Sequence, residues 1–399
     1  MGVCLRRIFP HQPVRTLFAL TLLALTGFVR AKEPVHIAVD DAYSIQTNTT
    51  SRAIERGVLA AIEEINARGG VLDGRPLKLL ATDSQGLPAR GRDNLISLAA
   101  KPDLIAVLAG KYSPVTLEMM AEANRQRIPL ISVWGSADPI IDGAGNPSFV
   151  FRLSLKDSWG VEALIKRGKT AHAASRQCVL LPNTASGRSA QAVLGSHALL
   201  HGVSIVHAHW YNWGQNSFLD ALAQCRKAFA QSLLMVAHER EAAILLTELS
   251  EMPATARLPV IAHGDLTGGT LHQLAGPALD KVDMQVIQTF TFIGNRRPAA
   301  MRLAQWILKD AQLTSVDQIP APAGSAHAYD MTHLLALAVN KARSTRGDDI
   351  RKALENLPPH EGAVRRYAPA FTETSHDALT PREVLFVRVG RGGQLTPVR

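Results

Sequence analysis

The stretch AIERGVLAAIEEINARGG at residues 53–70 decides the fold, together with the segments on either side of it. Its apolar residues recur at helical spacing, and the two closing glycines supply the left-handed exit of an amphipathic helix. A predicted strand at 35–40 precedes this helix. Predicted strands at 77–82 and 104–108 follow it, with a second helix at 90–100 between them. This β-α-β-α-β order predicts a parallel sheet, which binds ligands at the carboxyl ends of its strands.

The alternation of strands and helices continues to about residue 356. Further strands are predicted to begin near residues 128, 177, 203, 232, 258 and 284, with helices in most of the gaps. A strand-like segment at 149–153 leaves the first α/β unit, and a second unit begins after a helix at 158–167. We therefore expect two α/β units joined by crossing segments, with a cleft between them that suits a small molecule.

The first 31 residues have the pattern of a secretory signal peptide. They contain no acid, and three arginines precede an apolar run at 17–28. This run of about 12 residues is shorter than the roughly 20 that a transmembrane helix needs, which disfavours a membrane anchor. We predict cleavage near Ala31. The pair Arg6-Arg7 leaves both the general secretory route and the twin-arginine route open.

The charge and the cysteine content limit which partners and which redox state the chain can have. The formal charge is +9, but four of the basic residues and none of the acidic ones lie in the leader, which leaves an excess of +5. No basic block interleaves with aromatic residues, so we predict no nucleic-acid partner. Cys178 and Cys225 could pair in an oxidising compartment. Because one opens a predicted strand and the other lies in a predicted helix, we expect two buried free thiols.

Two sequence motifs resemble those of a known family. The helix end EEINARGG at 63–70 and the turn DSQGLP at 83–88 are similar to motifs of the periplasmic binding proteins of the branched-chain amino acid (Leu/Ile/Val) type. The resemblance covers most of residues 35–345 and implies two Rossmann-like lobes with parallel sheets, joined by three crossings. Lobe one would hold 32–150 and about 290–345. Lobe two would hold 151–289 and the tail from about 346 to 399. This tail lacks the glycine-rich hairpin motif that is usual in the family.

The same resemblance implies a function. The chain would be the solute-binding protein of an ABC importer, capturing a small organic ligand that is amino acid-like, an amide or another compound. It would act as a monomer in the periplasm and deliver the ligand to permease subunits in the inner membrane. The alternative is a ligand-sensing module of the same fold that reports to a regulator or sensor kinase, because closure on a ligand serves both roles.

In lobe one, the resemblance places the ligand at the loops after the third and fourth strands. In the family, these loops hold the carboxylate of the ligand through hydroxyls and backbone N–H groups, which attract a negative group. The matching positions are Ser113 in the first loop and Trp134, Gly135 and Ser136 in the second. The alternative for the two serines is that they only cap helices.

In lobe two, the family usually places an acid after a late strand, where it binds the amine of the ligand. Asp265 is that candidate, with a helix cap as its alternative role, and His238 matches a further cleft contact. The family also walls its pocket with two tyrosines, but Thr50 and Ser186 stand at these positions. Losing both rings removes apolar contact surface, so we expect a wider pocket and a ligand other than a simple aliphatic amino acid.

The remaining motifs do not indicate catalysis. Gly168-Lys169-Thr170 lacks the earlier glycine of a phosphate-binding loop, and Ser186 lacks the spacing of a nucleophile elbow. His207 and His209 share one face of a predicted strand, but their spacing alone does not make a metal site. We therefore expect a protein that is not an enzyme and that needs neither a cofactor nor a metal.

Overall fold

Runs of buried β-branched and leucine residues form the strands of two central sheets. The computed structural model describes residues 1–3, 32–45 and 48–398. Almost all of the predicted leader, including its expected cleavage position at Ala31, lies outside these residues. No helix in the described ranges combines the length and the apolar character that crossing a membrane requires.

Among the described residues, the first sheet has five parallel strands in the order β2-β1-β3-β4-β5. Every residue of the central strand β3 is buried, as expected for a parallel sheet that helices cover on both faces. The strands are β1 (Val35–Asp41), β2 (Leu77–Asp83), β3 (Leu104–Ala109), β4 (Leu130–Ser132) and β5 (Val150–Arg152). The helices between them are α1 (Thr49–Ala67), α2 (Pro88–Ala99), α3 (Ser113–Gln126) and α4 (Pro139–Asp142).

The second sheet has seven strands in the described part of the chain, in the order β14-β13-β10-β9-β8-β6-β7. Strands β6 to β10 run parallel, whereas β13 and β14 are antiparallel to their neighbours. The strands are β6 (Arg176–Pro182), β7 (Ser204–Tyr211), β8 (Ser232–Met235), β9 (Val260–Ala262), β10 (Met284–Gln288), β13 (Leu385–Val389) and β14 (Leu395–Val398). The helices are α5 (Asp157–His172), α6 (Ala185–Leu200), α7 (Leu219–Lys227), α8 (Glu239–Glu251), α9 (Leu271–Ala275) and α10 (Ala278–Lys281).

Each sheet has its own hydrophobic core on both faces. The long helices α11 (Pro298–Asp310) and α12 (Pro322–Ala342) return to the first sheet and pack with α1 on one face of it. Helices α2 and α3 cover the other face. Two separate clusters cover the second sheet in the same way. We call the first sheet with its helices lobe one and the second sheet with its helices lobe two.

The C-terminal tail divides between the lobes. Helix α13 (Gly347–Leu354) and the short strands β11 (His360–Glu361) and β12 (Arg366–Tyr367) pack into the core of lobe one. Within the described residues the chain crosses between lobes at 153–156, 289–297 and 380–384, so only β13 and β14 complete lobe two. The sequence-based boundary near 346 is therefore too early. The buried carboxylate of Asp330 on α12 explains the difference, because it accepts hydrogen bonds from the tail.

Cys178 in β6 and Cys225 in α7 form a disulfide, with their Cα atoms 5.8 Å apart. The prediction of two free thiols is therefore wrong. The two residues are 47 positions apart in the sequence. Only the packing of α7 against the second sheet brings them together, and no local pattern in the sequence shows this contact.

Candidate ligand-binding site

A cavity of about 50 Å³ lies where loops at the carboxyl ends of strands from the two lobes meet. Lobe one contributes the loop after β4 and the start of α12, and lobe two contributes the loop after β9 and the end of β10. Two of the crossing segments complete the wall. The lining residues are Trp134, Ser136, Ser154, Leu155, His263, Gly264, Asp265, Ile287, Gln288, Thr289, Ala323 and His327.

Side chains of the two lobes contact each other directly around this cavity. The indole Nε1 of Trp134 donates to Oδ1 of Asp265 at 3.0 Å. Further out, Nζ of Lys111 in lobe one lies 2.5 Å from Oε1 of Glu239 in lobe two, and both side chains are buried. Glu239 opposes the loss of hydration that burial imposes on Lys111 and raises the pKa of its ammonium above the ordinary value. The structure is thus a closed arrangement of the two lobes.

Thr50 is one of these interlobe contacts. Its hydroxyl and its backbone N–H both donate to the carbonyl of Gly268, at 2.7 and 3.0 Å. A Cβ at position 268 would lie 2.2 Å from the Thr50 hydroxyl and 2.9 Å from the Trp134 ring. The backbone of lobe two therefore fills the space next to Thr50.

Hydrogen bonds on the side away from the cavity fix the loop after β4. The hydroxyl of Ser113 accepts from the backbone N–H groups of Ser136 and Ala137, at 3.1 and 3.3 Å. The buried guanidinium of Arg152 donates to the carbonyls of the same two residues, both at 2.9 Å, and pairs with Asp377 at 2.6 Å. These contacts present Trp134 and the Ser136 side chain to the cavity in one defined position.

A histidine between two carboxylates forms the lobe-two wall. Nε2 of His263 lies 3.1 Å from Asp157, and Nδ1 lies 3.4 Å from Asp265. Burial opposes charge on His263 and Asp265, but their mutual attraction, together with the pull of Asp157 on His263, prevails. It raises the pKa of His263 to about 10 and holds the pKa of Asp265 below its ordinary value. Ser186 donates to the other oxygen of Asp157 at 2.5 Å, so this serine supports the wall.

Three packed aromatic rings close the outer side of the cleft. His238 packs edge-on against Tyr112 and Trp213, with ring centroids 5.7 and 5.6 Å away. Its Nδ1 lies 4.0 Å from Oδ2 of Asp265. Burial lowers the pKa of His238, so the ring is neutral at physiological pH. Tyr112 and Trp213 are aromatic side chains at the cleft that the sequence comparison with the family did not identify.

The structure separates the eight predicted site residues into four groups. Trp134, Ser136 and Asp265 line the cavity, whereas Ser113 and Gly135 hold the loop behind it. Thr50 and His238 lie at interlobe contacts, His238 through the ring of Tyr112, and Ser186 bonds to Asp157. Sequence reasoning did not identify the remaining lining residues, which come mainly from the crossings and from α12: Ser154, Leu155, His263, Gly264, Ile287, Gln288, Thr289, Ala323 and His327.

Metal ligation has no support in the part of the chain that the structure describes, where no group of three or more His, Cys, Asp or Glu could hold an ion. His207 and His209 lie on the edge strand β7 with ring centroids 6.2 Å apart. The cavity itself offers one histidine that two carboxylates already engage and a second, His327, that bonds to Val133 and Thr289.

Comparison with known proteins agrees with the fold. Residues 34–394 match the periplasmic binding protein family, and the chain belongs to it. The predicted family and the predicted α/β fold class are confirmed. No curated protein sequence matches significantly.

Solved structures of the same fold cover almost the whole chain. A periplasmic binding protein type 1 from Bordetella pertussis Tohama I is 18% identical, with 92% of this chain and 100% of that chain covered and a TM-score of 0.79. The branched-chain amino acid transporter substrate-binding protein LivJ from Streptococcus pneumoniae, in complex with isoleucine, is 18% identical, with 92% and 99% covered and a TM-score of 0.77. An ABC transporter solute-binding protein from R. palustris, in complex with benzoate, is 16% identical, with 92% and 95% covered and a TM-score of 0.75.

Proposed function

We propose that this chain is the extracytoplasmic solute-binding protein of an ABC importer. It would be exported to the periplasm, lose its leader near Ala31 and capture a small organic ligand that is amino acid-like, an amide or another compound. It would then deliver this ligand to permease subunits in the inner membrane. The observation that supports the proposal best is a cavity walled by both lobes, with Trp134 and Ser136 on one side and His263 and Asp265 on the other.

The geometry favours binding coupled to closure. A ligand in the cavity contacts both lobes at once, so it stabilises the closed arrangement relative to an open one. The crossings at 153–156 and 289–297 line the cavity and connect the lobes, which suits them to act as hinges. A permease that recognises the closed form would then receive loaded protein in preference to empty protein.

We assign the predicted site residues roles on this basis. Trp134, Ser136 and Asp265 would contact the ligand, and Ser113 would position Ser136 through its backbone N–H. His238 would close the outer side of the cleft. Ser136→Ala combined with Asp265→Ala should weaken ligand binding more than tenfold, because each lost contact to a buried polar group costs about 2–5 kcal/mol.

Identification of the ligand tests the function. Protein purified from its native host should release a compound on denaturation that mass spectrometry can identify. Adding this compound to stripped protein should reduce the radius of gyration in small-angle X-ray scattering, and an unchanged radius at saturation would contradict closure. Deletion of the gene should abolish uptake of the labelled compound. Normal uptake together with a lost transcriptional response would instead favour the sensing role.

A further inference from the structure

We propose that the cleft selects a ligand that carries N–H donors and no free carboxylate, that is, an amide or an amine. This inference rests on the proposed function, because it names the ligand class of the same cavity. The ligand class follows from which groups of the cavity are already bonded within the protein and which remain available to a ligand.

The backbone groups that would bind a carboxylate are already bonded. The N–H groups of Ser136 and Ala137 both donate to the hydroxyl of Ser113, at 3.1 and 3.3 Å. The N–H of Gly135 donates to the carbonyl of Gly110 at 3.3 Å. A carboxylate in the cavity would have to displace these bonds and leave the hydroxyl or carbonyl of the protein without its donor, which is costly in a buried site.

The nearby cations are also engaged. Lys111 pairs with Glu239, and Arg152 pairs with Asp377 and with two backbone carbonyls. Neither cation lines the cavity. His263 does line it, but this ring lies between two carboxylates.

The charge of the lobe-two wall disfavours an anion. Asp157, His263 and Asp265 form a buried cluster of two carboxylates and one imidazolium, so the cluster carries one net negative charge. The interaction of two like charges is stronger in a buried site than in water. A carboxylate ligand would therefore be repelled by the cavity wall, whereas a neutral or cationic group would not.

Apart from the Ser136 hydroxyl, which can donate or accept, the remaining polar groups of the cavity are acceptors. Nε2 of Gln288 donates to the carbonyl of Ile287 at 2.8 Å, which fixes its amide orientation. Its Oε1 is buried and has no hydrogen-bond partner among the described residues. Nδ1 of His327 lies 2.9 Å from the carbonyl of Val133 and must carry the proton, because a carbonyl only accepts. Nε2 then accepts from the Thr289 hydroxyl at 2.9 Å, which leaves the Thr289 oxygen as an acceptor.

A ligand complementary to this lining supplies donors to Gln288, Thr289 and Asp265. An amide NH₂ or an ammonium group does this, and a carboxylate does not. Burial lowers the pKa of His327 to about 4, so this histidine stays neutral and offers no cation to an acid. Trp134, Leu155 and Ile287 supply an apolar wall for the rest of the ligand.

Matched pairs of ligands test the proposal. Calorimetry on stripped protein compares acetate with acetamide, benzoate with benzamide, and leucine with leucinamide, since each pair differs only in its carboxylate. We expect at least one amide to bind, and each amide that binds to do so at least tenfold more tightly than its acid. An acid that binds as tightly as its amide would overturn the proposal, and if none of the three amides binds, the class of the native compound decides.

A charge variant gives an independent check. Asp265→Asn removes one negative charge from the wall and should raise the affinity of the acid relative to its amide at least tenfold. Glu373→Gln removes the same charge from an exposed position outside the cavity and should leave this ratio unchanged. Equal ratios in the two variants would contradict the role of the wall.

Identifying the native ligand distinguishes a failure of the proposed ligand class from a failure of the proposed solute-binding function. Release of a carboxylate compound that closes the lobes would overturn the ligand class and leave the solute-binding function intact. Release of an amide or amine would support both. If no native compound and no member of the pairs reduces the radius of gyration, the function and the ligand class both fail.

Discussion

Replacing Glu239 with glutamine should open the cleft. The side chains of Glu239 and Lys111 are 11% and 2% exposed, and their 2.5 Å contact joins the two lobes. Removing one partner of a buried ion pair costs about 3–5 kcal/mol when the other charge stays buried. Here the lobes can separate and return the ammonium to water, so we expect a shift of about 2–3 kcal/mol toward the open arrangement. This shift corresponds to a factor of about 30–150 in the closed-to-open ratio.

Distance measurements between spin labels on the two lobes detect this change, and small-angle scattering gives the accompanying increase in the radius of gyration. The double variant Lys111→Met with Glu239→Gln is the matched control, because it leaves no unpaired charge and should close again. Closed populations that are equal in the wild type and in Glu239→Gln would refute the reasoning. An open double variant would instead show that the pair itself contributes the closing energy.

Three further predictions concern stability. Gly57→Ala places a Cβ 2.1 Å from a carbonyl oxygen of α12, so urea titration should show a loss of about 1–3 kcal/mol. By contrast, the Cβ of Gly195→Ala in α6 meets no atom, and this variant should gain about 0.5–1 kcal/mol in the free energy of unfolding. Equal changes in the unfolding free energy of the two variants would contradict this account. Replacing Cys178 and Cys225 with alanine should cost about 4 kcal/mol, because the disulfide closes a long loop of the unfolded chain, and an unchanged urea midpoint would refute this. The raised pKa of His263 adds stability that is fully present below its ordinary value of 6.5 and is lost as the pH rises toward about 10. The thermal midpoint should therefore fall across this range, and an equally steep fall in His263→Gln would count against this assignment.

The described elements follow closely from local patterns in the sequence. The predicted strand at 35–40 is β1 at Val35–Asp41, and the predicted helix at 90–100 is α2 at Pro88–Ala99. Boundaries of this kind depend on side-chain periodicity and on glycine and proline positions, which neighbouring residues determine. The motifs at 63–70 and 83–88 were enough to indicate the family, because they belong to one continuous β-α-β unit.

The sequence also pointed to three of the residues that line the cavity. Trp134, Ser136 and Asp265 follow strands directly, and the carboxyl ends of parallel strands meet at one edge of a sheet. The family resemblance indicated these positions, and the strand order accounts for why they meet at one edge. Residues that reach the cavity from the crossings or from α12, such as Thr289 and His327, have no such local marker.

Only the tertiary structure decided how these groups interact. Ser113 bonds to the backbone at Ser136, His263 lies between Asp157 and Asp265, and Gly268 fills the space beside Thr50. The disulfide and the lobe-one packing of α13 are likewise contacts between distant segments. Such contacts depend on close packing and on which buried donors find acceptors, and these conditions hold only once the whole chain is folded. The sequence therefore determined the sheets and the edge at which the cavity lies, whereas the fold determined the charge and the free acceptors of the cavity.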